Sequence, residues 1–362
     1  MKKKLLGALT LVAAMGLPAS ANASLQTLSD LFVFGDSLSD GGNSGIVSRA
    51  ATGGTVTYPP FPYYNGQYSN GPVAVEYLWQ SYNGGAPFAP SLAGGTNYAI
   101  GGATTGLENF NSVSPSTGPL APAYDQLSNN WQLNTFGSQL AGARTFDPAT
   151  SLFVVWLFPN DVFYSATGST PGSVDCLTNP LASCAGVPLA SGLPGVSQLI
   201  GNGVSNILAT VAYLASLGAQ HFLVPNMPDL GKTPEFSGTV GEAGLTALTQ
   251  GFNATLAYNL SLLDASLTSA EIVQFDTYGA FDRIRQDPGA YGIKNTTQQC
   301  IQNYTACAAD NFQWTFWDGV HPTTYAHSIL GAEFRAAVPE PESILLLAIG
   351  LLGIFVTRRR AA

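Results

Sequence analysis

Short apolar runs that stop abruptly at glycine, proline or aspartate punctuate this chain. Leu31-Phe32-Val33-Phe34 ends at Gly35, Leu152 to Phe158 ends at Pro159, His221-Phe222-Leu223-Val224 ends at Pro225, and Glu271-Ile272-Val273-Gln274-Phe275 ends at Asp276. Strands that are apolar at successive positions are covered on both faces, which is how parallel sheets read. Helical spacing follows over about 196–217, closed by Gly218, then over about 241–263 and 323–337. Strand, helix, strand, helix in sequence predicts a three-layer α/β/α sandwich with right-handed crossovers. Stretches near 41–72, 107–150, 165–196 and 286–316 are rich in Gly, Ser, Asn, Pro and Tyr and read as long loops. Such loops at sheet edges are where substrates are received.

Two further apolar runs sit near the ends and read as addresses rather than fold. Lys2, Lys3 and Lys4 precede a run from Leu5 to Leu17, and Ala21-Asn22-Ala23 supplies small residues at a cleavage site. Residues 1–23 therefore read as a secretory signal peptide cut before Ser24. At the other end, Val338-Pro339-Glu340-Pro341-Glu342 precedes a run from Ile344 to Val356, followed by Arg358, Arg359 and Arg360. That run is 13 residues long, short of the roughly 20 that a full bilayer span prefers. This end, residues 339–362, resembles the PEP-CTERM sorting signal of Gram-negative envelope proteins. The resemblance implies an exosortase-type processing enzyme as a partner, transient anchoring in the inner membrane, and a final place in the envelope or outside the cell. Residues 24–338 remain as one domain, without a linker or internal repeat that would divide it.

Composition narrows the function. Of 362 residues, 46% are hydrophobic and 10% charged, enough apolar material for a sizeable core. Between the basic clusters at the two ends, 7 Lys and Arg face 22 Asp and Glu. A chain so poor in cations cannot release counterions from a phosphate backbone, which excludes nucleic acid as a main partner. The four cysteines fall as Cys176/Cys184 and Cys300/Cys307, and proximity favours these local pairings in an oxidising compartment. Neither pair has CxxC spacing, and with three histidines in the chain no zinc site is expected.

Candidate chemistry sits at the strand ends. The first strand runs into Gly35-Asp36-Ser37-Leu38, which places a serine just past the carboxyl end of a buried strand. Taken alone, Ser37 reads equally well as a helix cap. Near the other end, Asp318-Gly319-Val320-His321-Pro322 puts a carboxylate three residues before an imidazole. At that spacing the carboxylate can orient the ring and stabilise its protonated form. His221 leads a buried strand and reads as structural, and His327 reads as a surface or packing residue of the last helix.

The order Gly-Asp-Ser-Leu and then Asp-x-x-His resembles the GDSL, or SGNH, hydrolase family, specifically its lipolytic esterase branch. Two intermediate blocks of that family also have counterparts, at Asn97–Thr105 and at Pro159-Asn160-Asp161. So do Tyr63–Pro72 and Val224–Gly231, so the resemblance covers nearly all of 28–336. It implies a parallel, flavodoxin-like sheet, Ser37 as nucleophile, His321 as general base and Asp318 as its orienter. It further implies an oxyanion hole made by the Ser37 and Gly102 N–H groups and the Asn160 side chain, with Gly101 the neighbouring candidate. No cofactor or metal is implied. The expected activity is hydrolysis of carboxylic acyl esters through an acyl-enzyme. The Tyr- and Phe-rich loop around Tyr58–Tyr68 suits an apolar acyl chain. Two alternatives stay open: an O-acetyl esterase acting on an exopolysaccharide, and a non-catalytic envelope or matrix protein on the same scaffold. One departure stands out. The third block usually begins with glycine, but here it begins with Phe158, which either narrows the acyl site or packs into the core.

Overall fold

Six successive backbone partners, from Asp30↔Ser151 to Gly35↔Trp156, join β1 (Asp30–Gly35) to β2 (Ser151–Trp156) in parallel. β3 (His221–Pro225) and β4 (Glu271–Phe275) extend the sheet beyond β2, again in parallel, giving the order β1-β2-β3-β4. On the other side of β1, Val33 accepts from the Tyr98 N–H at 2.8 Å and donates to Thr96 at 3.1 Å. The segment 96–100 thus acts as a further strand beside β1, bridged to it at Val33↔Asn97 and tied again by the Ile100 N–H donating to the Gly35 carbonyl at 3.2 Å. With it counted, the chain visits the sheet in the flavodoxin-like order 2-1-3-4-5. This computed structural model describes residue 25, residues 27–168 and residues 197–338. The expected leader 1–23, the expected Cys176/Cys184 pairing and the segment 339–362 lie outside the described residues.

Among the described residues the α-helices are α1 (Asn43–Ala51), α2 (Ala74–Tyr82), α3 (Asn129–Ala141), α4 (Pro159–Ser165), α5 (Gln198–Ser216), α6 (Glu242–Ser266), α7 (Thr277–Gln286), α8 (Tyr304–Ala309) and α9 (Thr324–Ala337). Alternate residues of β1 serve opposite faces of the sheet. Phe32 and Phe34 join a core with Phe153, Phe136 of α3, Val204 of α5 and Leu256 of α6. Leu31 and Val33 join a second core with Leu78 of α2, Ala280 of α7 and Leu330 of α9. Helices therefore cover both faces, and the apolar runs read from the sequence are the strands that require this cover.

Three helices, α1, α3 and the short α8, occupy stretches expected to be loops. The buried face of α1 carries Asn43, Ser44, Gly45 and Ser48, and that of α3 includes Asn129 and Gln132. Polar buried faces leave no apolar period to read. The stretch near 286–316 also holds structure: β5 (Asn295–Gln299) pairs in parallel with β6 (Trp314–Phe316), separate from the main sheet. The Cys300–Cys307 disulfide sits beside this pair. The Cys300 N–H donates to the Phe316 carbonyl at 3.0 Å and the Ile301 N–H to that of Trp317 at 2.8 Å. The chain leading into Asp318 is fastened by these bonds.

Phe158 resolves to the core. Its ring is fully buried and stacks on Phe252 with centroids 3.7 Å apart and planes 6° apart. A Cβ at Gly203 would lie 2.3 Å from the Phe158 ring, so α5 needs glycine there. The backbone at Phe158 has φ of 124°, a region that disfavours side chains, which explains why glycine suits this position. Phe158 does not narrow the acyl site.

Buried carboxylates fix the loops at the carboxyl end of the sheet. Asp40 accepts from the N–H groups of Gly42, Asn43 and Ser44 at the start of α1, and from the Gly101 N–H at 2.9 Å. Asp161 accepts from the Thr105 N–H and hydroxyl at 2.9 and 2.6 Å, joining α4 to the loop after residue 100. Glu76 accepts from the Val73 N–H at 2.8 Å and closes the start of α2. Burial pushes Asp161 and Glu76 up to about 7 and raises Asp40 as well.

Two predictions follow from this packing. The native state holds protons on Asp161 and Glu76 up to about pH 7, whereas unfolded carboxyls release theirs near pH 4. Stability contributed by these groups is therefore present at mildly acidic pH and is lost as pH rises towards 7. Thermal unfolding should show a higher Tm at about pH 5 than at about pH 8, and a Tm rising steadily across that range would contradict the assignment. Phe158→Gly relieves backbone strain of about 1–3 kcal/mol but gives up a core ring worth about 3–5 kcal/mol. The expected result in denaturant titration is a net loss of about 2 kcal/mol. An unchanged stability with a widened acyl-chain range would place the ring in the site instead.

Candidate functional site

The last residue of β1 is held from both ends by one side chain. Gln132 of α3 accepts from the Gly35 N–H at 2.8 Å and donates to the Gly35 carbonyl at 2.7 Å. A Cβ on Gly35 would approach the Ser39 Cβ to 2.9 Å and the Trp156 carbonyl oxygen to 3.2 Å, so the turn leaving the strand requires glycine. Beyond it, Asp36 accepts from the Leu38 N–H at 2.9 Å and locks the loop that presents Ser37. Burial pushes the Asp36 carboxyl up to about 7, against the Leu38 N–H, the facing His321 and the Asn160 amide beside it.

The C-terminal half of the site is an equally constrained loop. The Trp317 N–H donates to the His321 carbonyl at 2.7 Å and closes the segment between them. Within it, Asp318 Oδ1 accepts from the Val320 and His321 N–H groups at 2.9 and 2.8 Å. Asp318 Oδ2 then faces His321 Nδ1 at 2.7 Å, and His321 Nε2 lies 2.7 Å from Ser37 Oγ. The three residues singled out from the sequence meet in one unbroken chain of hydrogen bonds. Burial alone would raise the Asp318 carboxyl, but the facing imidazole and the two backbone N–H groups outweigh it and hold it below the usual range. The ring of Tyr68 packs against the imidazole with centroids 5.1 Å apart.

The other two histidines stand apart from this chain. His221 begins β3, where burial lowers its pKa. His327 is fully buried rather than at the surface, accepts from the Ala74 N–H at 3.2 Å, and burial pushes it down to about 3. A histidine so far below neutrality stays uncharged.

The glycine block presents one N–H to the same space. The Gly101 N–H is occupied by Asp40 at 2.9 Å and Ser44 Oγ at 3.0 Å. The Gly101 carbonyl is held by the amides of Asn109 and Asn111 at 3.0 and 2.9 Å. In a trans peptide the next N–H points away from that carbonyl, so these two asparagines aim the Gly102 N–H. Gly102 has φ of +81°, and a Cβ there would lie 2.3 Å from Asn109 Oδ1. Among the described residues neither the Gly102 N–H nor the Ser37 N–H has a hydrogen-bond partner. Asn160, in the first turn of α4, is 5% exposed and lines the same cleft.

That cleft has a volume of about 550 Å³. Ser37, Gly102, Asn160 and His321 form its polar floor, and Tyr58, Pro60, Phe110, Phe163 and Phe236 supply apolar wall. Among the described residues no lysine or arginine lines it. Gln132, Asn109 and Asn111 escaped the sequence reading, because lone amides carry no spacing that marks them as backbone clamps. Tyr63 escaped in its role too: within an aromatic-rich loop nothing announced that its hydroxyl donates to Asp318 Oδ2 at 2.7 Å.

Comparison with known proteins agrees with these features. The GDSL-like lipase/acylhydrolase family matches residues 31–334, and the PEP-CTERM protein-sorting motif matches residues 337–360. The motif indicates export with exosortase-type processing at the C-terminal end. A Pseudomonas putida protein, described as an uncharacterized protein in the trpE-trpG intergenic region, is 27% identical over 346 residues, covering 88% of this chain and 51% of its own length. A GDSL esterase/lipase of Arabidopsis thaliana is 26% identical over 333 residues, covering 83% of this chain and 84% of its own. Lipase 1 of Photorhabdus luminescens is 26% identical over 304 residues, covering 82% of this chain and 37% of its own. The chain therefore spans about half the length of the Pseudomonas relative and well under half of the Photorhabdus one. With a family match that runs from the first strand into the last helix, the chain belongs to the GDSL-like lipase/acylhydrolase family.

Proposed function

We propose that this protein is an exported serine esterase that hydrolyses carboxylic acyl esters through an acyl-enzyme on Ser37. The observation that carries this reading is the chain Ser37 Oγ, His321 Nε2, His321 Nδ1, Asp318 Oδ2, with 2.7 Å at both steps between side chains. A serine hydroxyl is a weak nucleophile at neutral pH and needs a base in hydrogen-bond reach. Ser37 Oγ bonds to the ester carbon as its proton passes to His321 Nε2, and the carbonyl electron pair moves onto oxygen. The oxyanion is met by the Ser37 and Gly102 N–H groups and the Asn160 amide. Collapse breaks the bond to the alcohol oxygen, which takes the proton from Nε2. Water then repeats the sequence and frees the acid.

The cleft supports an apolar acyl group. Its walls are aromatic, and its ionisable lining consists of Asp36, Glu235, Asp318 and His321 with tyrosines. With no lysine or arginine among the described residues of that lining, an anionic ester meets like charge there with no compensating cation. Export through the leader 1–23 and temporary attachment through the segment 339–362 complete the reading.

Ser37→Ala and His321→Ala should each abolish turnover of nitrophenyl esters while leaving the thermal melt near wild type. Because members of such a unit act together, the double variant should be hardly slower than either single one. Multiplicative losses, or inactivation by His327→Ala without loss of stability, would contradict the roles assigned. Asn160→Ala should lower kcat by about 10²–10³ with little change in KM, since its bond strengthens chiefly in the transition state. A near-normal kcat with a lowered Tm would make Asn160 a structural cap. Profiling acyl esters of increasing length beside an acetylated glycan tests the substrate: medium or long acyl chains should exceed the glycan in kcat/KM.

A further inference from the structure

Asp318 carries one more donor than its orienting role requires. Its Oδ1 takes two backbone N–H groups, as described, and its Oδ2 takes both His321 Nδ1 and the Tyr63 hydroxyl, each at 2.7 Å. Tyr63 reaches across 255 residues to make this bond. Its ring is held edge-on to Trp317 at 6.0 Å and to Tyr68 at 6.5 Å, so the hydroxyl has little freedom to turn elsewhere. Its backbone is anchored as well, the Tyr63 N–H donating to the Pro60 carbonyl at 3.0 Å. Burial and the neighbouring Asp318 charge both raise the pKa of the phenol, so it remains a proton donor at any working pH.

We propose that Tyr63 is a positioning residue that sets the charge on Asp318 Oδ2 and, through it, the basicity of His321. This rests on the esterase reading only where turnover is the readout. A hydrogen bond to the oxygen that faces Nδ1 draws negative charge towards the phenol and away from the imidazole. The imidazolium is then less stabilised than beside a carboxylate oxygen with no second donor. Removing the Tyr63 hydroxyl therefore leaves Asp318 Oδ2 with more charge to offer a protonated His321. The phenol proton stays on Tyr63 throughout, and no additional transfer occurs.

The surroundings leave this bond as a main adjustable influence on the ring. Asp318 and Ser37 occupy its two nitrogens, and the ring of Tyr68 lies against it. The Asp36 carboxyl interacts with it from the β1 loop, while burial raises that carboxyl to about 7. His327 of α9 also interacts with it, but burial keeps His327 neutral down to about 3. Glu235 reaches the same loop, its N–H donating to the Gly319 carbonyl at 2.9 Å.

The test is Tyr63→Phe, which removes one oxygen and keeps the ring. Its neighbour Tyr64, 45% exposed, serves as the control variant Tyr64→Phe. In Tyr63→Phe the acid limb of the kcat/KM profile should move up by about half to one pH unit, with KM within about twofold of wild type. In Tyr64→Phe the profile should not move. Titration of the His321 ring by NMR in a Ser37→Ala background, with and without Tyr63→Phe, measures the same shift without turnover. It keeps a failure of this proposal separate from a failure of the esterase reading. An upward shift of the ring pKa supports the assignment. A superimposable titration, or a loss of kcat accompanied by an equal fall in stability and no pH shift, overturns it.

Discussion

A 2.7 Å contact between Ser37 Oγ and His321 Nε2 joins residues 284 positions apart, and the architecture is arranged around keeping it. A hydrogen bond of this kind weakens within a few tenths of an ångström. Both loops must therefore be fixed independently to that tolerance. The parallel sheet does the coarse work. Because all its strands run the same way, the ends of β1 and β2 and of the segment 96–100 deliver Ser37, Asn160 and Gly102 to one edge. Local clamps then do the fine work: Gln132 on Gly35, Asp36 on Leu38, and Asp318 on the two N–H groups of its own loop.

The clamps are largely buried polar groups, which is costly unless each is paired. Asp40 alone gathers donors from α1 and from the glycine block, so the loop after β1 and the loop after the segment 96–100 cannot shift separately. Asp161 does the same for the glycine block and α4, where Asn160 sits. The site is thus tied together underneath by carboxylates that take no part in the proposed reaction. Their raised pKa values are the consequence of that placement.

Much of this was visible in the sequence, and the boundary between what was and was not is physical. β1, β2 and β3 announced themselves because strands covered on both faces are apolar at nearly every position. β4, at the sheet edge, keeps Gln274 exposed and showed itself by Ile272, Val273 and Phe275. β2 stops at Trp156, however, and the apolar run continues through Leu157 and Phe158 because the residues leaving the strand remain buried. Asp318 and His321 were readable because a carboxylate three residues before an imidazole is a short, fixed spacing. Ser37 alone read equally well as a helix cap and was singled out by the ordered blocks of the resemblance. Gly102 could be preferred to Gly101 only weakly from sequence; the reason lies in the Gly101 N–H being consumed by Asp40. α1 was missed because a helix whose buried residues are Asn43, Ser44, Gly45 and Ser48 packs by hydrogen bonds and close approach rather than by an apolar stripe. Phe158 illustrates the opposite case. The sequence flagged a departure, and only the stacking on Phe252 and the gap over Gly203 decide which way the ring turns.

The central claim is that His321 makes the Ser37 hydroxyl the one unusually reactive nucleophile of the chain. Covalent capture by a fluorophosphonate, followed by peptide mapping, tests this without assuming a substrate. The account predicts a single adduct on Ser37, a labelling rate that rises as the imidazole loses its proton, and near-complete loss of labelling in folded His321→Ala protein. An adduct on another residue, or undiminished labelling of Ser37 when His321 is replaced, would contradict it.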